Sequence, residues 1–231
     1  MFKKKDKKIY IVLITLILSF VFCGAVFWGL YEVGQRTAVR KVYNVSMEMS
    51  PEKRLLEPEI RIPLQEYEPE FPLYFQWDER WGDEVYGDGT IALNGCGPTC
   101  LSMVITGLTG NDEFSPDLVA GFSDAMGYYE DGVGSNWLLM TEGASYFGVH
   151  GEIQFLSEQE LIQTVKNHQP VICAMGPGDF TTTGHFIVIT DYKEGGFVLH
   201  DPNSSQNSEA LWSYDRLLPQ IRNMWVYEES K

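Results

Sequence analysis

Residues Ile9 to Leu30 carry no charged side chain and are almost all apolar. This 22-residue run constrains the fold more than any other feature. At about 1.5 Å per residue in a helix it matches a hydrocarbon core roughly 30 Å thick. Such a segment is expected to cross a membrane, so a packed domain has to be built from the residues C-terminal to it. Ahead of it stand Lys3, Lys4, Lys5, Lys7 and Lys8, opposed only by Asp6. Basic residues stay on the cytoplasmic side, which predicts a cytoplasmic tail at 1–8 and an extracytoplasmic chain after residue 30. A cleaved signal peptide would usually have a shorter apolar region, roughly 7–15 residues, with a small-x-small site after it. Here bulky Phe27, Trp28, Leu30 and Tyr31 come after the small pair Gly24 and Ala25. Residues 9–30 therefore read as an uncleaved single-pass signal anchor in the cell membrane.

The next 40 residues, 31–70, read as an extracytoplasmic stalk. Glu52, Lys53, Arg54, Glu57, Glu59, Arg61, Glu66, Glu68 and Glu70 are interspersed with Pro58, Pro63 and Pro69. That composition buries too little apolar surface to offset chain entropy. From Phe71 onward aromatic and aliphatic residues become frequent, and residues 71–231 are long enough for one core. The net charge is −15. The first eight residues contribute +4 and the anchor nothing, so the remainder carries −19. A domain this acidic repels nucleic acid. Three cysteines lie beyond the anchor, Cys96, Cys100 and Cys173. The odd number leaves at least one free thiol, and stability must come from a core rather than from disulfides.

The periodicity changes along the domain. Pro98–Leu108 places Cys100, Leu101, Val104, Ile105 and Leu108 on one helical face. Ser115 before Pro116 opens a second helix to about Met126. Asn136–Phe147, ended by Gly148, is a third. Ser157 with Glu160 forms a capping box for a fourth, to about Asn167. The runs Val171–Met175, Phe186–Thr190, Phe197–His200 and Met224–Tyr227 then read as strands. Helices followed by an antiparallel sheet make an α+β arrangement.

The sharpest local pattern is Asn94-Gly95-Cys96-Gly97-Pro98-Thr99. It puts a thiol where a loop turns into a helix, between two residues without side-chain bulk. The positive end of the helix dipole there favours the thiolate. A buried structural cysteine is the alternative reading; Cys100 and Cys173, on an apolar face and inside a strand, read as core residues. Of four histidines, His185 follows Gly184 at the mouth of an apolar strand, where its ring can face a cleft. If the turn between the strands centres on Lys193, His185 lies directly opposite Asp201 across the ladder. A carboxylate there would orient the imidazole, as nucleophile–base–orienter sets require. Gln76, in Phe75-Gln76-Trp77-Asp78-Glu79-Arg80-Trp81, is the candidate side-chain donor to an oxyanion, beside the backbone N–H of Cys96. No histidine or cysteine spacing suits a metal, no glycine-rich phosphate loop is present, and no cofactor is expected.

Four stretches in one order, Gln76-Trp77-Asp78-Glu79-Arg80-Trp81, Gly95-Cys96-Gly97-Pro98-Thr99, Gly178–Phe186 and Asp201-Pro202-Asn203, resemble the bacteriocin-processing (double-glycine) peptidase-like group of papain-like cysteine peptidases, the thirty-ninth cysteine-peptidase family. The resemblance implies a papain-like fold with a cysteine-bearing helix packed on an antiparallel sheet. It implies Cys96 as nucleophile, His185 as general base and acid, Asp201 as orienter and Gln76 as oxyanion donor. Two departures stand out. Gln76 precedes Cys96 by 20 residues, where the better-known enzymes have only a few, which an inserted hairpin around Gly82–Gly89 would explain. Those enzymes are also cytosolic domains of exporters that trim leader peptides, so that substrate does not carry over. The expected activity is thiol-dependent hydrolysis of a peptide or protein outside the membrane. A peptide- or wall-binding module that has lost turnover, and an acyl transferase using the same triad, are the alternatives.

Overall fold

The computed structural model describes residues 71–230. The expected tail at 1–8, anchor at 9–30 and stalk at 31–70, together with Lys231, lie outside the described residues. Among the described residues no helix is long and apolar enough to cross a membrane.

A ribbon of β1 (Val85–Tyr86) and β2 (Gly89–Thr90) leads into the short α1 (Ile91–Asn94) and then α2 (Cys96–Thr109). α3 (Pro116–Ala125) and a second ribbon, β3 (Tyr129–Glu130) with β4 (Gly134–Ser135), come next. After α4 (Glu142–Ser145) come β5 (Val149–Ile153), α5 (Glu158–Lys166), β6 (Val171–Met175), β7 (His185–Lys193) and β8 (Gly196–His200). The chain closes with α6 (Ser205–Glu209), α7 (Tyr214–Leu217) and β9 (Ile221–Glu229). The five long strands form one antiparallel sheet in the order β5-β9-β6-β7-β8.

The unbroken apolar run of β6 has a structural cause, since both faces of the strand are covered. Ile172 and Ala174 share a core with Phe186, Val188, Trp225 and Tyr227 and with Cys100, Leu101, Val104 and Ile105 of α2. Val171, Cys173 and Met175 face the other way, with Ile187 and Ile189, onto Leu161 and Val165 of α5. Each such fully buried aliphatic side chain stabilises the fold by about 1.5–3 kcal/mol. The α+β expectation therefore holds, with helices on both faces of the sheet.

α2 begins two residues earlier than Pro98, at Cys96. Pro98 remains in the first turn, where its missing N–H has no helical partner to lose. Gly110 ends the helix at φ 68, the left-handed conformation that a glycine adopts without strain. The capping box on α5 is present in both arms. The helix expected over Asn136–Phe147 is broken into a 3-10 turn at Trp137–Met140 and α4, with Thr141 at φ −119, ψ −82 between them. At the break the Met140 carbonyl accepts the buried Tyr227 hydroxyl at 2.8 Å.

The register of β7 and β8 differs from the expected one. Near the turn Tyr192 pairs with Phe197, but further along Ile189 pairs with Leu199 and Val188 with His200. The shift lies between Ile189 and Asp191, so Thr190 is an extra residue in a bulge. Continued by one residue, the register sets Asp201 beside Ile187 and diagonal to His185 rather than directly opposite it. The two-residue offset is even, so His185 and Asp201 keep the same parity. Without the bulge the turn-end pairing would set Asp201 opposite Val188, with the parity reversed.

Candidate active site

Cys96 is the first residue of α2 and half-buried. Gly95 and Gly97 beside it are required by close contacts. A Cβ on Gly95 would lie 2.5 Å from the Ile91 carbonyl oxygen, and one on Gly97 would lie 2.5 Å from Ser135 Oγ. The first glycine lets α1 turn directly into α2, and the second lets β4 close onto the cysteine turn.

His185 opens β7 and Asp201 follows β8; they are 8% and 1% exposed. His185 Nε2 donates to Asp201 Oδ1 at 2.7 Å. That leaves Nδ1 free to serve the Cys96 thiol, which is near enough for each group to shift the other's titration. Burial alone would raise the Cys96 thiol. The nearby polar ring and charge of His185, with the N–H groups of Phe186 and Gly97, outweigh burial and hold the thiol below its ordinary value. Burial would likewise lower His185, but the bonds and charges of Asp201 and Cys96 raise it above the usual imidazole range. Burial would raise Asp201; His185, Asn207 and Asn203 hold it below the usual carboxylate range instead. All three shifts favour a thiolate–imidazolium pair backed by a carboxylate. Cys100 and Cys173, buried without such partners, are pushed the opposite way.

Gln76 is 3% exposed and lies in a turn. Its Nε2 donates to the Ala92 carbonyl at 2.8 Å, and its backbone N–H donates to the Pro202 carbonyl at 2.8 Å. It is thus tied at once to the segment entering Cys96 and to the residue after Asp201. The 20-residue gap is taken up by the β1–β2 ribbon and α1, which return the chain to the same place. The other histidines are elsewhere: His150 and His168 are exposed, and His200 Nδ1 meets the Pro72 carbonyl at 3.1 Å.

Asn207 is a site residue that sequence reasoning misses. Its Nδ2 donates to Asp201 Oδ2 at 2.7 Å, while the backbone N–H of Asn203 donates to Oδ1 at 2.9 Å. Ser208 Oγ accepts the backbone N–H of Asp201 at 2.9 Å. The available signal is Ser204, which caps α6 by accepting from the N–H of Asn207. That cap marks a short helix folding back on Asp201.

Comparison with known proteins adds the lineage. No protein with a curated description matches the chain in sequence. Among solved structures, the fold is similar to the peptidase domain of Streptococcus ComA, a bi-functional ABC transporter involved in a quorum sensing pathway. The TM-score is 0.50 at 16% identity, over 70% of this chain and 100% of that one. A Bacillus anthracis protein described as a C39-like peptidase overlaps 71% of this chain and 97% of its own, at a TM-score of 0.44 and 16% identity. The sequence model of the Peptidase_C39 like family matches residues 68–231, which takes in every described residue and all four site residues, and the chain belongs to that family.

Proposed function

We propose that this chain is a membrane-anchored, extracytoplasmic cysteine peptidase of papain-like type, acting on a peptide or protein substrate. The observation that carries the reading is the buried His185–Asp201 hydrogen bond of 2.7 Å, with Cys96 electrostatically coupled to the same imidazole. The extracytoplasmic placement rests on the charge-free run 9–30 and the lysines before it.

The Cys96 thiolate attacks the scissile carbonyl carbon and forms a C–S bond, and the carbonyl oxygen takes up the electron pair. The backbone N–H of Cys96, the first residue of α2, donates to that oxygen. The second N–H of Gln76 Nε2 donates beside it, the first being committed to Ala92. The intermediate collapses with cleavage of the C–N bond as His185 gives its proton to the departing amine. Water then attacks the thioester, His185 takes the water's proton, and the acid leaves with Cys96 restored. Acid–base transfer by a placed histidine contributes about 10²–10⁴-fold. Asp201 holds the ring and stabilises its cation without itself taking the proton.

The test is digestion of a peptide library by the full-length chain in mild detergent, with products read by mass spectrometry. The parent is expected to cleave, and Cys96→Ala to lose at least about 10²-fold. Equal cleavage by parent and Cys96→Ala would sink the reading.

A further inference from the structure

The chemistry just described needs the Asp201 carboxylate held in one plane, because only then does Oδ1 meet the His185 ring. Oδ1 is shared between His185 and the Asn203 N–H, while Oδ2 receives Asn207 Nδ2. Asn207 is itself held from behind. Its backbone carbonyl accepts the indole N–H of Trp212 at 2.9 Å, and Trp212 is only 5% exposed. The indole packs 4.5 Å from the ring of Phe180, with the Arg216 guanidinium 4.8 Å from its centroid. Arg216 forks onto both oxygens of Asp179 at 2.9 Å, and Gln220 Nε2 joins it at 2.8 Å. Asp179 and Phe180 lie in the loop that delivers His185. One stretch, residues 205–220, therefore grips both approaches to the imidazole–carboxylate pair.

We propose that Asn207 is a positioning residue, fixing the Asp201 carboxylate in the orientation that meets His185, and that Trp212 holds Asn207 in place. The inference rests on the peptidase reading above and adds a residue to it. Asn207 acts through Asp201. The amide suits the place because it brings a donor without a second negative charge. A carboxyl there would serve while protonated and repel Asp201 once ionised.

That difference makes the test. The full-length parent, Asn207→Ala, Asn207→Asp and Trp212→Phe are treated with iodoacetamide between pH 4.5 and 8, and Cys96 labelling is timed by peptide mass spectrometry. Asn207→Ala is expected to label about tenfold more slowly than the parent throughout, in keeping with loss of one hydrogen bond to a buried charge. Asn207→Asp is expected to stay within about threefold of the parent at pH 4.5, where the adjacent Asp201 carboxylate keeps the introduced carboxyl protonated, and to fall at least about tenfold behind by pH 7.5, as it ionises. Trp212→Phe keeps an aromatic ring against Phe180 but loses the indole N–H together with one ring of the indole, so a slowing of about threefold is expected. Labelling of Asn207→Ala that superimposes on the parent overturns the proposal. So does an Asn207→Asp rate reduced by the same factor at every pH, which marks a merely structural residue. If Asn207→Ala does not fold, Asn207→Asp decides alone, its acid-side rate being its own control. Parent labelling that follows an ordinary thiol and ignores His185→Ala is a different failure: it removes the peptidase reading, and this inference with it.

Discussion

Replacing Gly97 by alanine tests whether the cysteine turn is built by close approach. The new Cβ would lie 2.5 Å from Ser135 Oγ, 2.7 Å from Ser135 Cβ and 3.2 Å from Met140 Cε. The methionine end can yield, but Ser135 cannot rotate freely. Its Oγ is bonded to the Tyr86 hydroxyl at 2.8 Å, and that hydroxyl to Ser123 Oγ at 2.8 Å, all of it buried. Forcing an extra methyl into a packed site costs about 1–3 kcal/mol. Breaking the Tyr86–Ser135 bond out of contact with water costs about 1–3 kcal/mol more. Against this, alanine gains up to about 1 kcal/mol over glycine within a helix. The net expectation is a loss of about 1–6 kcal/mol, read as a shift in the urea midpoint monitored by tryptophan fluorescence. Ser135→Gly removes both offending atoms and alone should cost about 1 kcal/mol, since Tyr86 keeps Ser123. The double variant should then lie close to Ser135→Gly, a coupling of at least about 1 kcal/mol. A Gly97→Ala protein as stable as the parent, or strict additivity in the cycle, would refute the close-approach account.

Gln76→Ala should lower kcat by about 10²–10³ with little change in KM, because an oxyanion donor acts only as charge develops; steady-state kinetics on any cleaved peptide decide it. The kcat/KM profile of the parent should rise through a pKa below the ordinary thiol value and fall through one above the ordinary imidazole value, as the shifts of Cys96 and His185 require. Asp201→Asn should flatten the dependence of melting temperature on pH. The depressed Asp201 contributes stability that is present above about pH 4 and lost as pH falls through its folded value. The raised His185 contributes stability present below about pH 6.5 and lost as pH rises through its folded value. A melting profile of Asp201→Asn parallel to the parent on both sides would contradict the pairing.

The legible parts of the sequence are those that local chemistry writes there. α3 and α5 announce themselves through a proline start and a capping box, and β6 through an apolar run that both faces of the sheet require. The cysteine turn is contiguous, so its glycines, proline and thiol can be interpreted together. Pieces that depend on how the chain returns on itself are less legible. Gln76 stands far from Cys96 in sequence because β1, β2 and α1 intervene, and only folding ties its amide to Ala92. Asn207 escapes notice because α6 buries no residue, so it has no apolar periodicity to betray a helix. The 136–147 segment looks continuous because nothing in its own residues records the Tyr227 hydroxyl that meets the Met140 carbonyl where it breaks.

The His185–Asp201 contact shows how a correct pairing can rest on an incorrect register. A turn centred on Lys193 brings the two residues face to face, and they do meet, at 2.7 Å. The observed turn is centred later, with Lys193 paired to Gly196, and that pairing alone carries the wrong parity. Thr190 restores it by adding one residue to β7. Side chains alternate along a strand, so an odd error in register separates a catalytic pair and an even one merely makes it diagonal, still within reach of an imidazole. The bulge is therefore as much a condition of the site as the histidine itself. No residue type at Thr190 advertises it, because a bulge is decided jointly by the two strands and by what each must bury.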